Sequence, residues 1–212
     1  MLKDLPFNQN IARYEAWYDE HPLVYQTELA AIRKLWPEGD SLMSLEIGTG
    51  TGRFASELGI REGIDPLPGM CAAAESRGVR TTIGVAEDLP YQDGQFDVVL
   101  INFGICYFER PLQALKESFR VLKNGGVLIL TFLDRESRIG TFYLAKQESS
   151  TFYRNARFFT PPEVQELLAE AGFDKISFYQ TLFHDLEETR TVEECIPGHG
   201  KGSFVLAEAL KN

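Results

Sequence analysis

Positive charge, cysteine and long apolar runs are all scarce in this chain, and each scarcity closes off a class of function. Lys and Arg number 21 against 31 Asp and Glu in 212 residues, a formal charge of −10. A protein that grips a phosphate backbone needs a basic surface to displace counterions. No nucleic-acid partner is therefore expected, and anionic membrane surfaces are disfavoured for the same reason. No stretch approaches the roughly 18–20 apolar residues that span a bilayer. The opening Met1-Leu2-Lys3-Asp4-Leu5-Pro6 has no apolar signal-peptide core, so the expected location is cytoplasmic, with no membrane partner. Three cysteines, Cys71, Cys106 and Cys195, are odd in number and widely spaced, which implies neither a disulfide framework nor a structural zinc site. His184 and His199 are also far apart in sequence, and no metal is expected.

What the chain does have is apolar alternation. Its length suits one α/β domain, and 44% hydrophobic residues can bury a substantial core. Residues 8–36 read as two helices broken at His21-Pro22, because proline disfavours helix in the residue before it and suits a helix start. Pro37-Glu38-Gly39-Asp40 is a turn cluster. Strands are expected at 42–47, 60–65, 79–84, 96–102 and 127–133, and helices at 53–58, 69–77 and 111–122. Continuous apolar strands separated by helices argue for a parallel sheet covered on both faces. A polar-aromatic segment, 135–159, precedes a helix that starts at the capping box Thr160-Pro161-Pro162-Glu163. Two further strands, near 176–183 and 203–208, are placed to pair antiparallel.

The most informative segment is Leu45-Glu46-Ile47-Gly48-Thr49-Gly50-Thr51-Gly52-Arg53-Phe54. Strand, glycine turn and helix in this order bring bare backbone close to a nucleotide-like ligand at the carboxyl ends of parallel strands. Dinucleotide binders use G-x-G-x-x-G to seat a pyrophosphate on the helix start. Here the third glycine falls one place early, Arg53 takes its position, and Glu46 stands just before the turn. A carboxylate there suits a cationic amine better than a pyrophosphate. Asp65, about 17 residues beyond Gly48, closes the second strand, where an acidic side chain can accept from both hydroxyls of a ribose.

These residues resemble the class I S-adenosylmethionine-dependent methyltransferases, in particular the branch similar to the ubiquinone and menaquinone biosynthesis methyltransferases. The likeness runs through the glycine turn, Gly63-Ile64-Asp65-Pro66 with Gly69-Met70, and Ala86-Glu87-Asp88-Leu89-Pro90-Tyr91. It continues through Phe96-Asp97-Val98-Val99 and Arg120-Val121-Leu122-Lys123-Asn124-Gly125-Gly126. It implies a Rossmann-like, doubly wound α/β fold: a seven-stranded sheet, mostly parallel with an antiparallel last strand, plus N-terminal helices. It also implies S-adenosylmethionine as cofactor. Gly48, Thr49, Gly50 and Gly52 would form the turn under the methionine portion, and Glu46 would reach its ammonium directly or through water. Asp65 would hold the ribose, with Pro66 and Met70 bordering adenine and ribose. Ala86 and Glu87 would border the adenine from the other side, and Asn102 and Phe103 would line the wall near the methyl group. Two positions depart from the pattern. Val85 stands where relatives often carry an Asp, and Ile105-Cys106-Tyr107-Phe108 stands where many carry histidines. The second departure weakens the case for a quinone-type substrate.

The expected division is a helical lid at 1–37, a cofactor-binding core at 40–134, a substrate cap segment at 135–159, and a helix with a strand pair at 160–212. An activated sulfonium methyl needs an in-line acceptor and little water, so an enclosed pocket for a small-molecule acceptor is expected. Tyr14, Tyr18, His21 and Tyr107 are the candidates for positioning it. Cap-segment arginines 135, 138, 154 and 157 are an alternative attraction for an anionic acceptor. Two readings stand beside this one: a non-catalytic module that binds the same cofactor, and an NAD(P)-dependent oxidoreductase.

Overall fold

The computed structural model describes residues 6–39 and 41–212. Residues 1–5, read above as lacking a signal-peptide core, and Asp40 of the turn cluster lie outside the described residues. Helices α1 (Ile11–Glu20) and α2 (Pro22–Leu35) meet at His21, where the sequence breaks them. Pro22 gives up a backbone donor that a helix start leaves unpaired anyway. The alternation follows as β1 (Ser44–Ile47), α3 (Arg53–Leu58), β2 (Glu62–Asp65), α4 (Pro68–Ser76), β3 (Arg80–Ile83), β4 (Phe96–Asn102), α5 (Pro111–Val121) and β5 (Leu122–Leu133). The chain closes with α6 (Arg138–Ala145), α7 (Pro161–Ala171), β6 (Lys175–Thr181), β7 (Ile196–Pro197) and β8 (Phe204–Leu210).

One sheet holds all the strands, in the order β3-β2-β1-β4-β5-β8-β6-β7. β1 to β5 pair in parallel, and β8 inserts antiparallel between β5 and β6. This is the expected sheet with eight strands in place of seven, because the two-residue β7 joins the outer edge of β6. Alternate residues serve opposite faces. Leu45, Ile47, Val99, Ile101, Leu128 and Leu130 pack with α5 and α7, while Val98, Leu100, Ile129 and Leu206 pack with α2 and α3. With both faces covered, the strands read as continuous apolar runs rather than alternating ones. Among the described residues, no helix is long and apolar enough to cross a membrane.

Helix α6 lies inside the segment read as polar and aromatic. Its glycine, which looks like a breaker, is what allows it. A Cβ on Gly140 would stand 2.0 Å from the carbonyl oxygen of Asp134, so only glycine lets the helix start press against the end of β5. Ser137 caps that start by accepting from the Gly140 N–H at 3.0 Å. At the other helix foreseen from its capping box, the Thr160 N–H donates to Glu163 Oε2 at 2.8 Å.

β1 lies between β2 and β4, so the chain switches direction across the sheet here and the loops beyond β1 and β4 diverge. A crevice opens at such a switch point. Gly52 sets its floor: its φ is +74°, and a Cβ there would come within 2.8 Å of the Ala74 Cβ on α4. Left-handed backbone and overpacking together should make Gly52→Ala cost roughly 2–4 kcal/mol, measurable as a lower urea midpoint at unchanged slope.

Candidate functional site

The carboxyl end of β1 runs straight into the glycine turn. Gly48 and Gly50 take φ of +73° and +54°, which glycine adopts without the Cβ penalty. Gly48 and Thr49 donate their N–H groups to Ile64 O at 2.8 and 3.1 Å. The Gly50 N–H donates to Asp65 Oδ2 at 2.9 Å, and the Leu67 N–H to Asp65 Oδ1 at 2.9 Å. Asp65 thereby ties the turn after β1 to the tip of β2, and each oxygen retains a lone pair. Burial raises its pKa, against the pull of those two N–H donors.

A cavity of about 500 Å³ lies over this turn. Gly48, Gly50, Asp65, Pro66 and Met70 form one side of its wall, with Ala86 and Glu87 beyond them. Asn102 and Phe103 close the opposite side. Phe103 is held in left-handed backbone, φ +55°, a conformation that costs a non-glycine residue about 1–3 kcal/mol. Thr131 holds that corner: its backbone oxygen and Oγ1 both accept from the Phe103 N–H at 3.2 Å, and its hydroxyl donates to Asn102 Oδ1 at 2.6 Å.

Three of the residues expected at the ligand, Gly52, Thr49 and Glu46, have side chains or Cβ positions directed away from the cavity, while the Thr49 backbone, the part expected under the methionine portion, remains in the turn. Gly52 is turned toward α4, for the packing reason given above. The Thr49 hydroxyl donates to Glu46 O at 2.9 Å and fills the space where a Cβ on Gly63 would fall, 2.3 Å away. Glu46 points toward α3, where it accepts from the Ala55 N–H; its Oε2 is buried without a hydrogen-bond partner, and burial drives its pKa well up. Glu46 is not among the residues that line the cavity.

α1 roofs the cavity. The Tyr14 hydroxyl sits 3.7 Å from where a Gly50 Cβ would be and 2.9 Å from the Tyr18 hydroxyl. Tyr14, Tyr18 and Tyr107 line the cavity, whereas His21 stays at the α1–α2 junction with its ring 4.9 Å from that of Trp17. Burial pushes the phenols of Tyr14, Tyr18 and Tyr107 above their ordinary range. At neutral pH these phenols keep their protons. The cap segment meets the turn before α1 through Phe7 stacked on Phe152, centroids 5.0 Å apart, and α1 itself through Arg13 donating to Thr151 at 2.9 Å. None of the four cap-segment arginines lines this cavity. Arg135 pairs with Glu163, Arg138 with Asp185, Arg154 donates to Glu148 O, and Arg157 lies over the Phe159 ring.

Two residues of the site escaped the sequence reading. Glu15 accepts from Thr51, Arg53 and Arg77, riveting α1 to the glycine turn. Burial alone would raise its pKa, but hydrogen bonds from Thr51 and Arg53 and the charge of Arg77 hold it below the usual carboxylate range. Nothing in the local sequence marks this long-range cluster. Glu28 did leave a signal: it shares a face of α2 with Val24, Ile32 and Leu35, which is a charge in an apolar stripe. It is 2% exposed, lines the cavity, and leaves Oε2 without a partner. Burial drives its pKa well above the usual value.

The chain's relatives bear on this geometry. A methyltransferase domain model matches residues 45–130. A SAM-dependent methyltransferase of Thermotoga maritima, described as a possible histamine N-methyltransferase, is 42% identical; the match covers 98% of this chain and 99% of that one, with a TM-score of 0.94. An uncharacterized protein of Methanocaldococcus jannaschii is 39% identical over 205 residues, 97% of this chain and 98% of its own. A demethylmenaquinone methyltransferase of Chlorobaculum parvum is 30% identical over 168 residues, 66% of this chain and 68% of its own. The chain belongs to the SAM-dependent methyltransferases. Its cofactor is S-adenosylmethionine, and the cavity fits that ligand: bare backbone at Gly48 and Gly50, spare lone pairs on Asp65, and acidic walls for a ligand with a sulfonium and an ammonium. Burial pushes the Cys106 thiol of this methyltransferase up to about 12, so it is no thiolate.

Two outcomes follow. Glu15→Ala should remove the shared carboxylate from two half-buried arginines, leaving Arg53 with Asp19 and Arg77 with the Thr51 carbonyl, and lower stability by roughly 1–3 kcal/mol, with faster hydrogen exchange confined to α1. For Glu28, the folded pKa lies above the unfolded one, so above about pH 4.3 the folded protein keeps a proton that the unfolded chain has lost. Its contribution therefore opposes folding increasingly as pH rises beyond that value. Glu28→Gln should melt with the parent near pH 4 and higher by about 2–4 °C per kcal/mol relieved at pH 8, as followed by scanning calorimetry.

Proposed function

We propose that this methyltransferase acts on a small molecule held at the aromatic end of its cavity, beneath α1 and the cap segment. The observation that carries the reading is the cover over the cavity: Phe7 on Phe152 and Arg13 on Thr151 join the two covering segments above a volume of about 500 Å³. That is the size of a small-molecule site and gives a long polymer little access. The charge of −10 also argues against a nucleic-acid acceptor. Three free cysteines suit the cytoplasm.

Each residue then has a defined task. Gly48 and Gly50 let the methionine portion lie on backbone, and Asp65 accepts from the ribose hydroxyls with its remaining lone pairs. Pro66, Met70, Ala86 and Glu87 border the adenine, and Asn102 and Phe103 form the wall beside the methionine tail. The bound cofactor supplies a methyl group already activated by its sulfonium. The protein's work is to orient the acceptor and exclude water. Tyr14, Tyr18 and Tyr107 orient by donating hydrogen bonds. The relatives' names point to two acceptors, an amine and a quinone.

Asp65→Ala should weaken S-adenosylhomocysteine binding at least about tenfold, the worth of one charge-assisted hydrogen bond, and unchanged affinity in calorimetry would refute the ribose assignment. Transfer of radiolabelled methyl groups is expected to at least one member of a panel of amines, thiols, phenols, quinols and carboxylates. Tight cofactor binding with no transfer to any of them would favour a non-catalytic role.

A further inference from the structure

We infer that the aromatic end of the cavity is a binding site for an organic amine in its ammonium form, with the Glu28 carboxylate as its counter-ion. The inference rests on the small-molecule reading above and names the substrate class. Glu28 is the starting point. It lines the cavity at 2% exposure, and its Oε2 has no hydrogen-bond partner. A buried carboxylate without a partner is expensive and is ordinarily paired with a cation. No lysine or arginine makes a salt bridge with it among the described residues. The partner it lacks is a hydrogen-bond donor bearing positive charge, delivered through the cavity.

The surroundings select the same chemistry. Trp17, Tyr18, Tyr143 and Tyr153 all line the cavity. Tyr143 and Tyr153 have ring centroids 4.7 Å apart, and Trp17 lies 5.2 Å from Tyr18. Tyr18, Tyr143 and Tyr153 line the same cavity as Glu28. Aromatic faces attract a desolvated ammonium through their quadrupoles. The remaining charged groups on the wall are Glu20, Asp65, Glu87 and Glu109 against Arg13, and Arg13 is engaged with Thr151. An anionic acceptor would meet repulsion. A neutral quinol or phenol would donate a hydrogen bond to the carboxylate but leave its charge without a counter-ion. An ammonium satisfies carboxylate and cage together.

The test uses calorimetric titration of the full chain with 2-phenylethylamine and with histamine, each beside the alcohol of the same skeleton, with and without saturating S-adenosylhomocysteine. Each amine should bind at least about tenfold tighter than its alcohol. In Glu28→Gln that preference should fall to near parity while the alcohols and S-adenosylhomocysteine bind as before. Glu28→Asp, which keeps the charge, should restore part of it. A melting temperature at or above the parent's confirms that the variants are folded. Equal binding of amine and alcohol by the parent would overturn the inference, as would an amine preference that survives in Glu28→Gln. Loss of S-adenosylhomocysteine binding in the parent would instead overturn the cofactor geometry, and the titrations without it would then decide the amine site separately.

Discussion

One hydrogen bond ties the carboxylate at the tip of β2 to the glycine turn on which the rest of the site is built. The Gly50 N–H on the turn after β1 donates to Asp65 at the tip of β2. Neither strand could position a ligand alone: β1 ends in bare backbone, and β2 ends in a carboxylate that would be solvated if the turn did not reach it. The bond lies beside the switch point between β1 and β4, where the loops diverge and the space above remains open. The third glycine serves this arrangement from behind, by letting α4 approach the start of α3. Turn, strand tip and helix packing are therefore one constraint.

The covering elements depend on that base through charge. Glu15 reaches from α1 to Thr51 and Arg53 on the turn and to Arg77 after α4. Because these groups are only partly exposed, the cluster loses less to solvent screening than a surface pair would. It holds Tyr14 over Gly50 and Tyr18 beside it. The cap segment then meets the same helix through aromatic contact rather than charge, which leaves its arginines turned to partners of their own.

Against this order stand three unfavourable features at the cavity or just behind it, and others of the same kind lie away from it at Leu182, Tyr91 and Thr181. Phe103 adopts a backbone conformation that suits glycine, and Glu28 and Glu46 are buried with an oxygen unpartnered. Elsewhere the sheet is apolar on both faces and its ends are capped. Proteins tolerate such costs where a ligand relieves them or where geometry for chemistry demands them.

Much of this was legible in the residues because it is local. The break at His21-Pro22, the run of β1 into its glycine turn, Asp65 closing β2 and the capping box at Thr160 all follow from propensity and spacing within a few positions. The edge strand β7 and helix α6 were not legible, because two residues carry no period and Gly140 reads as a breaker until the Asp134 carbonyl is seen against it. What the sequence by itself determined is the doubly wound sheet and the place of the ligand turn, since apolar periodicity and glycine conformation act along the chain. Only the tertiary structure decided which carboxylates face the cavity. Glu46, adjacent to the turn, is directed behind it, while Glu28, distant in sequence, arrives on the wall, because side-chain direction follows from how α2 and α3 pack on the sheet and not from distance along the chain.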